Sequence, residues 1–320
     1  MRGRTASAIV GVALLGGVAT AGYVALHHVG PLLTREQCTA TVSGHEVTLS
    51  TEQAENAALI AAIAVQRGMP ARAASIALAT AYQESKLYNL EEGDRDSAGL
   101  FQQRPSQGWG TRDQILNPYY ATNSFYNALD RVDGYQTMRI TVAAQKVQHS
   151  GFPEAYAGHE ADARVLASAL TGQSFHAFSC VVKDGPGRGR KKLDDRGLTR
   201  RAEHVRQDVE AAFGELPLGG FAPGGVHDGH MAGSAHYEGR AIDIFVRPIS
   251  QANKEKGWAV AQYLVAQAER LDIETVIFDD RIWKAGSRSG DGWTNYDPPE
   301  SSGDRQVLEH RDHVHVDVFG

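Results

Sequence analysis

The sequence predicts an α+β protein built as two modules behind an N-terminal apolar segment. The first module is mainly helical, and the second mixes helices with an antiparallel sheet. Three observations lead to that class. A chain of 320 residues exceeds one small core and implies about two domains. Apolar residues at helical spacing dominate the first half, whereas alternating apolar and polar positions gather after Arg240. Between the halves, Asp184-Gly-Pro-Gly-Arg-Gly-Arg-Lys-Lys192 has no periodicity and reads as a linker, placed over 184–197.

At the start of the chain, the basic Met1-Arg-Gly-Arg4 precedes an uncharged run from Ala6 to about Leu26. That order marks residues 1–33 as a secretory signal or a retained membrane anchor, and Ala19-Thr20-Ala21 fits a cleavage site. Either way the remainder is expected outside the cytoplasm, secreted or held at the membrane through this segment. There Cys38 and Cys180, each in a short β-like run, can form a disulfide that ties together the ends of the first module, 34–183. Two cysteines are too few for a disulfide scaffold or a thiolate zinc ribbon. A net charge of −6, from 32 basic and 38 acidic residues, argues against nucleic acid as the partner, because phosphate binding needs a basic face.

In the first module, Ser50 and Gln53 form a capping box that opens a helix over Glu52–Arg67, stopped by Gly68. Pro70 opens a second helix, Ala71 to about Gln83, with Ala73, Ile76, Ala77 and Thr80 along one stripe. Asn89–Pro118 is rich in Gly, Asp, Ser, Gln and Pro and reads as a long functional loop. Helices follow at Thr137–His149 and Glu160–Leu170. The second module, 198–320, predicts helices at Leu198–Phe213 and Ser250–Arg270, with strands at Arg240–Val246, Glu274–Phe278 and His313–Phe319.

The strongest chemical signal lies in that second module. Ser234-Ala-His236-Tyr-Glu-Gly239-Arg-Ala241-Ile-Asp243 is answered downstream by Asp312-His313-Val-His315. A hydrolytic zinc site takes about three protein ligands and leaves one position open. His236, Asp243 and His315 would supply two imidazoles and a carboxylate. Strand periodicity puts His313, His315 and Asp317 on one face and Val314, Val316 and Val318 on the other. Likewise Asp243 lies opposite the apolar Ile242, Ile244 and Val246. Zinc lowers the pKa of water toward ~7 and calls for a carboxylate to move the proton. Asp312, at the strand entry, is the candidate. Six of the 13 histidines (227, 230, 236, 310, 313 and 315) fall in these two segments. Of them, His227, His230 and His310 are expected to be structural or rim residues.

This pattern resembles the zinc peptidase group that contains lysostaphin, D-Ala-D-Ala carboxypeptidases and the hedgehog amino-terminal domain, over roughly residues 219–320. The resemblance implies Zn²⁺ on His236, Asp243 and His315, Asp312 as the base, and His313 steadying the tetrahedral intermediate. Ser234, which opens the motif, is expected to meet substrate. Phe221-Ala222-Pro223 stands where carboxypeptidase-like members often carry an Arg for a substrate carboxylate, which leaves an endopeptidase or another amidase open.

In the first module, Gln83-Glu84-Ser85 closes a helix and Ala98-Gly-Leu-Phe-Gln-Gln103 follows. The pair resembles the signature of lytic transglycosylases and goose-type lysozymes over roughly residues 50–175. A lysozyme-like helical fold is implied, with Glu84 as the acid of glycan cleavage and Gln102 as a hydrogen-bonder to substrate. Asp94 and Asp96 are available as a second carboxylate. Tyr119, Tyr120, Phe125 and Tyr126 could stack on sugars, with core packing the commoner fate. Two expectations from different classes follow. One is an exported bifunctional peptidoglycan hydrolase; the other is a catalytically silent cell-wall binding or scaffold protein that retains the metal site.

Overall fold

The computed structural model describes residues 36–149, 154–186, 192–298, 300 and 303–320. The apolar segment expected at 1–33, and 187–191 of the expected linker, lie outside these residues. Among the described residues no helix is long and apolar enough to cross a membrane. The architecture mixes helices with antiparallel sheet, in line with the expected α+β class.

The chain opens with β1 (Gln37–Val42) and β2 (His45–Leu49), joined by a tight turn through Ser43 and Gly44. Helix α1 (Thr51–Gln66) carries the expected capping box: the Gln53 amide donates to the Ser50 hydroxyl and the Ser50 amide to the Gln53 side chain. Helix α2 (Ala71–Ser85) runs two residues past the expected end and is stopped by Lys86 in the left-handed region. The stretch expected to be one polar loop is interrupted by α3 (Arg112–Leu116) and closes on α4 (Pro118–Leu129). Sequence reasoning assigned no helix at α4, although the local signal is present. Asn117 caps it by accepting from the Tyr119 and Tyr120 amides, and Pro118 stands at its first position. Helices α5 (Ile140–Gln148) and α6 (Glu160–Leu170) complete this half.

Strand β3 (Phe178–Val181) returns to pair with β1, giving a three-stranded antiparallel sheet in the order β2-β1-β3. Cys38 lies directly opposite Cys180 in that register, and the two form a disulfide. The bridge closes a loop of 142 residues, so the chain-entropy model assigns it about 4–5 kcal/mol. Replacing both cysteines with serine is expected to lower unfolding stability by several kcal/mol, read as a drop in the urea midpoint with a somewhat steeper slope, because the denatured chain without the crosslink exposes more surface. An unchanged midpoint would remove the bridge from the stability argument.

The second half contributes α7 (Arg200–Phe213), β4 (Leu218–Gly219), β5 (Ala241–Phe245), α8 (Gln251–Ala266), β6 (Ile273–Phe278), β7 (Arg281–Lys284), β8 (Thr294–Asn295), α9 (Arg305–Leu308) and β9 (His313–Val318). The strands form a six-stranded antiparallel sheet, order β4-β5-β9-β6-β7-β8. The valines of β9 and the isoleucines of β5 are buried on its apolar face, and α8 packs across it. The site residues stand on the opposite face.

Residues Gln37–Gly320 form one compact unit, in which α1 packs against α8. The contacts between the halves are polar as well as apolar. The buried Gln262 amide on α8 accepts from the Phe178 backbone and donates to the Ala169 carbonyl. The Trp283 and Trp293 indoles donate to the Cys180 and Phe178 carbonyls, and the Ser289 hydroxyl donates to the Val182 carbonyl. Gly172 lies so close to α8 that a Cβ there would sit 1.9 Å from the Glu255 carbonyl oxygen. Only glycine fits that approach.

Candidate functional site

The register of β5 and β9 pairs Asp243 directly with His315, and Phe245 with His313. His236 arrives from a short 3-10 turn, Ala235–Glu238, whose start is capped by the Ser234 hydroxyl accepting from the His236 amide. Ser234, expected to meet substrate, therefore orients His236 in this structure.

Three side-chain atoms converge. His236 Nε2 lies 3.1 Å from His315 Nδ1 and 3.3 Å from Asp243 Oδ1, and His315 Nδ1 lies 3.1 Å from the same Asp243 oxygen. Ligand bonds of 2.0–2.2 Å in a tetrahedron give edges of about 3.3–3.6 Å, so the triangle is only slightly tighter than a filled site. The outward nitrogens fix the tautomers. His236 Nδ1 is 2.6 Å from the Gly220 carbonyl and donates to it, which leaves Nε2 with its lone pair inward. His315 Nε2 faces Asp317 at 3.3 Å. All three groups are nearly buried, His236 at 3%, Asp243 at 7% and His315 at 8% exposure. A Cβ on Gly220, whose φ is +77°, would meet the His236 ring at 2.3 Å, so the carbonyl can reach Nδ1 only from a glycine.

Lone pairs and a carboxylate crowded this way repel unless a cation or a proton stands among them. Burial pushes the Asp243 carboxyl up, but the neighbouring imidazoles of His236 and His315 outweigh it and hold it well below the usual range. Burial likewise pulls the His315 imidazole down, and the bonds and charges of Asp243 and Asp317 lift it to about 9. A proton on His315 can thus take the place of a cation.

His230 also approaches, with one ring atom within 4.8 Å of ligand atoms of His236 and Asp243. Its ring is stacked almost parallel on His236, centroids 3.9 Å apart and planes at 19°. Lone pairs in two parallel planes do not converge on one ion, so the tighter His236–Asp243–His315 set is the better ligand group. His310 packs against His313 and His315, and burial pushes its imidazole down to about 3, making it a neutral wall.

Asp312 sits just before β9, as expected of a residue at the strand entry, with both oxygens engaged. Oδ1 accepts from His313 Nδ1 at 2.7 Å and Oδ2 from Arg247 Nε at 2.6 Å. Burial raises the Asp312 carboxyl, and these two partners more than reverse the shift. With Nδ1 committed to Asp312, His313 turns Nε2 toward the centre, 3.9 Å from Asp243 Oδ1. Sequence reasoning missed Arg247, although its position on the same period-two face as Asp243 and Phe245 was a usable signal.

In the first half, Glu84 lies in the last turn of α2, half-buried, and accepts from the Tyr156 hydroxyl at 2.7 Å. Burial raises its carboxyl above the ordinary value, opposed by hydrogen bonds from Tyr156 and Gln148. The Ser85 hydroxyl donates to the Leu100 carbonyl, and Gln148 donates to the Phe101 carbonyl, which ties the 98–103 segment to the ends of α2 and α5. Gln102 is occupied within its own loop, accepting from Ser97 and donating to the Gly99 carbonyl. Asp96 is held by Arg104 and the Ser106 amide. Phe125 and Tyr126 are core residues, Phe125 stacked on Phe101 and Tyr126 bonded to the Ile60 carbonyl. Tyr119 reaches Asp208 at the contact between the halves.

Among known families, the model for the VldE C-terminal domain matches residues 194–307. The match takes in Ser234, His236 and Asp243 and stops before Asp312–His315. No curated protein matches the chain.

Proposed function

We propose that the chain is an exported bifunctional peptidoglycan hydrolase. One site cuts an amide in the peptide stems with zinc held by His236, Asp243 and His315; the other cuts the glycan strand with Glu84. The observation that carries this reading is the triangle of three inward ligand atoms, 3.1–3.3 Å on a side, with both imidazoles anchored from behind. When bound, zinc supplies Lewis acidity and lowers the pKa of water to about 7. The chain's own residues handle the proton. Asp312, expected as the base, has both oxygens engaged and in this proposal fixes the His313 ring. His313, expected to steady the tetrahedral intermediate, faces the centre with Nε2, where it can accept a proton and pass it to the leaving amine.

The glycan reading is supported by a half-buried Glu84 with a raised carboxyl, suited to donate a proton to a glycosidic oxygen. A disulfide fits an oxidising compartment, which supports export. The lysozyme-like and zinc-peptidase-like assignments of the two halves, the wall polymer as partner and the membrane or secreted location all belong to this proposal.

A second reading, a silent wall-binding protein, is favoured by the engagement of both Asp312 oxygens and by Asp96 being held in an ion pair. The test is mass spectrometry of fragments released from purified peptidoglycan by the zinc-loaded protein. The hydrolase reading expects new amino termini together with cut glycan ends. Wall binding without any released fragment would replace it with the silent reading.

A further inference from the structure

We infer that Arg247 forms a carboxylate-binding subsite beside the proposed metal centre, so that the peptide substrate carries a carboxylate a few residues from the amide that is cut. The inference rests on the peptide-cleaving reading of His236, Asp243 and His315. Its own support is geometric.

Alternation along β5 and the residues that follow puts Ala241, Asp243, Phe245 and Arg247 on one face. Four residues of extended chain separate Asp243 from Arg247, about 13 Å. An extended peptide across that face, with its amide at the metal ligands, therefore brings a group two to four residues away to Arg247.

The guanidinium is held before any ligand arrives. Its Cζ lies over the Phe245 ring, 4.1 Å from the centroid, and its Nε donates to Asp312. That contact uses the side of the planar fork. Among the described residues neither terminal nitrogen has a partner, and the side chain is 54% exposed. Arg311, in the turn before β9, provides the contrast, since its Nε, Nη1 and Nη2 all bind carboxylates, of Glu309, Asp279 and Asp280. Lys254 and Arg281 are likewise paired with Asp279 and Asp280.

A stacked, tethered guanidinium with its two end nitrogens open matches a carboxylate bidentately, and little side-chain freedom remains to be lost on binding. The carboxylate could be a free C-terminus or an acidic side chain. The chemistry is the same, and the test separates the sources.

The probes are hydroxamates joined to a dipeptide, the hydroxamate chosen to grip zinc. One compound ends in a free carboxylate and a second in a carboxamide. A third ends in a carboxamide but carries a glutamate side chain. Binding to the zinc-loaded full chain is measured by calorimetry for wild type, Arg247→Gln and Arg247→Lys. Hydrogen bonds to charged groups are worth about 1.5–3 kcal/mol, or about 10–150-fold.

Wild type is expected to prefer at least one carboxylate compound over the plain carboxamide by about tenfold or more. Which compound is preferred identifies the source. Arg247→Gln should abolish the preference, and Arg247→Lys should retain only part of it. A wild type without preference, or an Arg247→Gln protein that keeps it, overturns the assignment. Equal weakening of all compounds in Arg247→Gln also overturns it, because that is what a residue that merely holds Asp312 would produce. Failure of the plain carboxamide to bind wild type would bring down the metal reading itself, and this assignment with it.

Discussion

His236→Ala is expected to strip the protein of zinc and, with it, of stem-peptide cleavage. The side chain supplies one corner of the ligand triangle and is almost fully buried, and the nearest other imidazole, His230, is stacked in a nearly parallel plane rather than in its place. Disturbing an outer partner of a metal ligand typically costs 10–100-fold in affinity, and removing a ligand from a three-residue site costs more. Zinc content after dialysis is the measurement: about one ion per wild-type chain, and none in His236→Ala. Asp317→Asn, which leaves the triangle intact and weakens only the anchor behind His315, should fall between them.

Acid should act in the same direction. With His315 lifted to about 9, an entering cation must displace its proton, and below that pH each unit of acidification weakens apparent zinc binding by up to about tenfold through this group. A wild-type protein that dialyses free of zinc near pH 8, or a His236→Ala protein that keeps it, would dismiss the metal reading.

Glu84→Gln should reduce glycan cleavage by about 10²–10⁴-fold while leaving zinc content untouched. The amide is isosteric and can still accept from the Tyr156 hydroxyl, so the helix end keeps its packing. The pH dependence follows from the direction of the shift. A raised carboxyl stays protonated to higher pH than an ordinary glutamate, so acid-assisted cleavage persists past the usual range and is lost as pH rises through the raised value. Tyr156 donates to the carboxylate form and lowers that value, so Tyr156→Phe should move the alkaline limb upward. Reducing-end release from purified glycan, followed against pH, is the measurement. Undiminished release by Glu84→Gln would clear Glu84 of the role.

Much of the second site is legible in the sequence. Motif spacing named His236, Asp243 and His315, and alternation put the second and third on one sheet face; the structure sets the three together. What the sequence could not reveal depends on contacts between distant segments. The Gly220 carbonyl behind His236 required knowing that β4 pairs with β5. The capture of Asp312 by Arg247 required the register of β5 against β9. In the first half, Ser50 with Gln53 announced α1 correctly, yet Asn117-Pro118 announced α4 and was overlooked inside a stretch judged polar. Gln102 looked like a free hydrogen-bonder because its loop partners, Ser97 and Gly99, are satisfied only once the 93–102 turn closes.

The linker assignment rested on composition, and composition is silent about what lies beneath it. Scissors applied at the glycine-rich stretch would not yield two free-standing proteins. The C-terminal piece would carry off the Trp283 and Trp293 indoles without their carbonyl acceptors, and the Gln262 amide, now dry, would face water. The N-terminal piece would keep the strand that had answered all three. The candidate Glu84 and His236 sites are therefore carried by one compact unit, and any polymer that both engaged would be gripped twice by a single body.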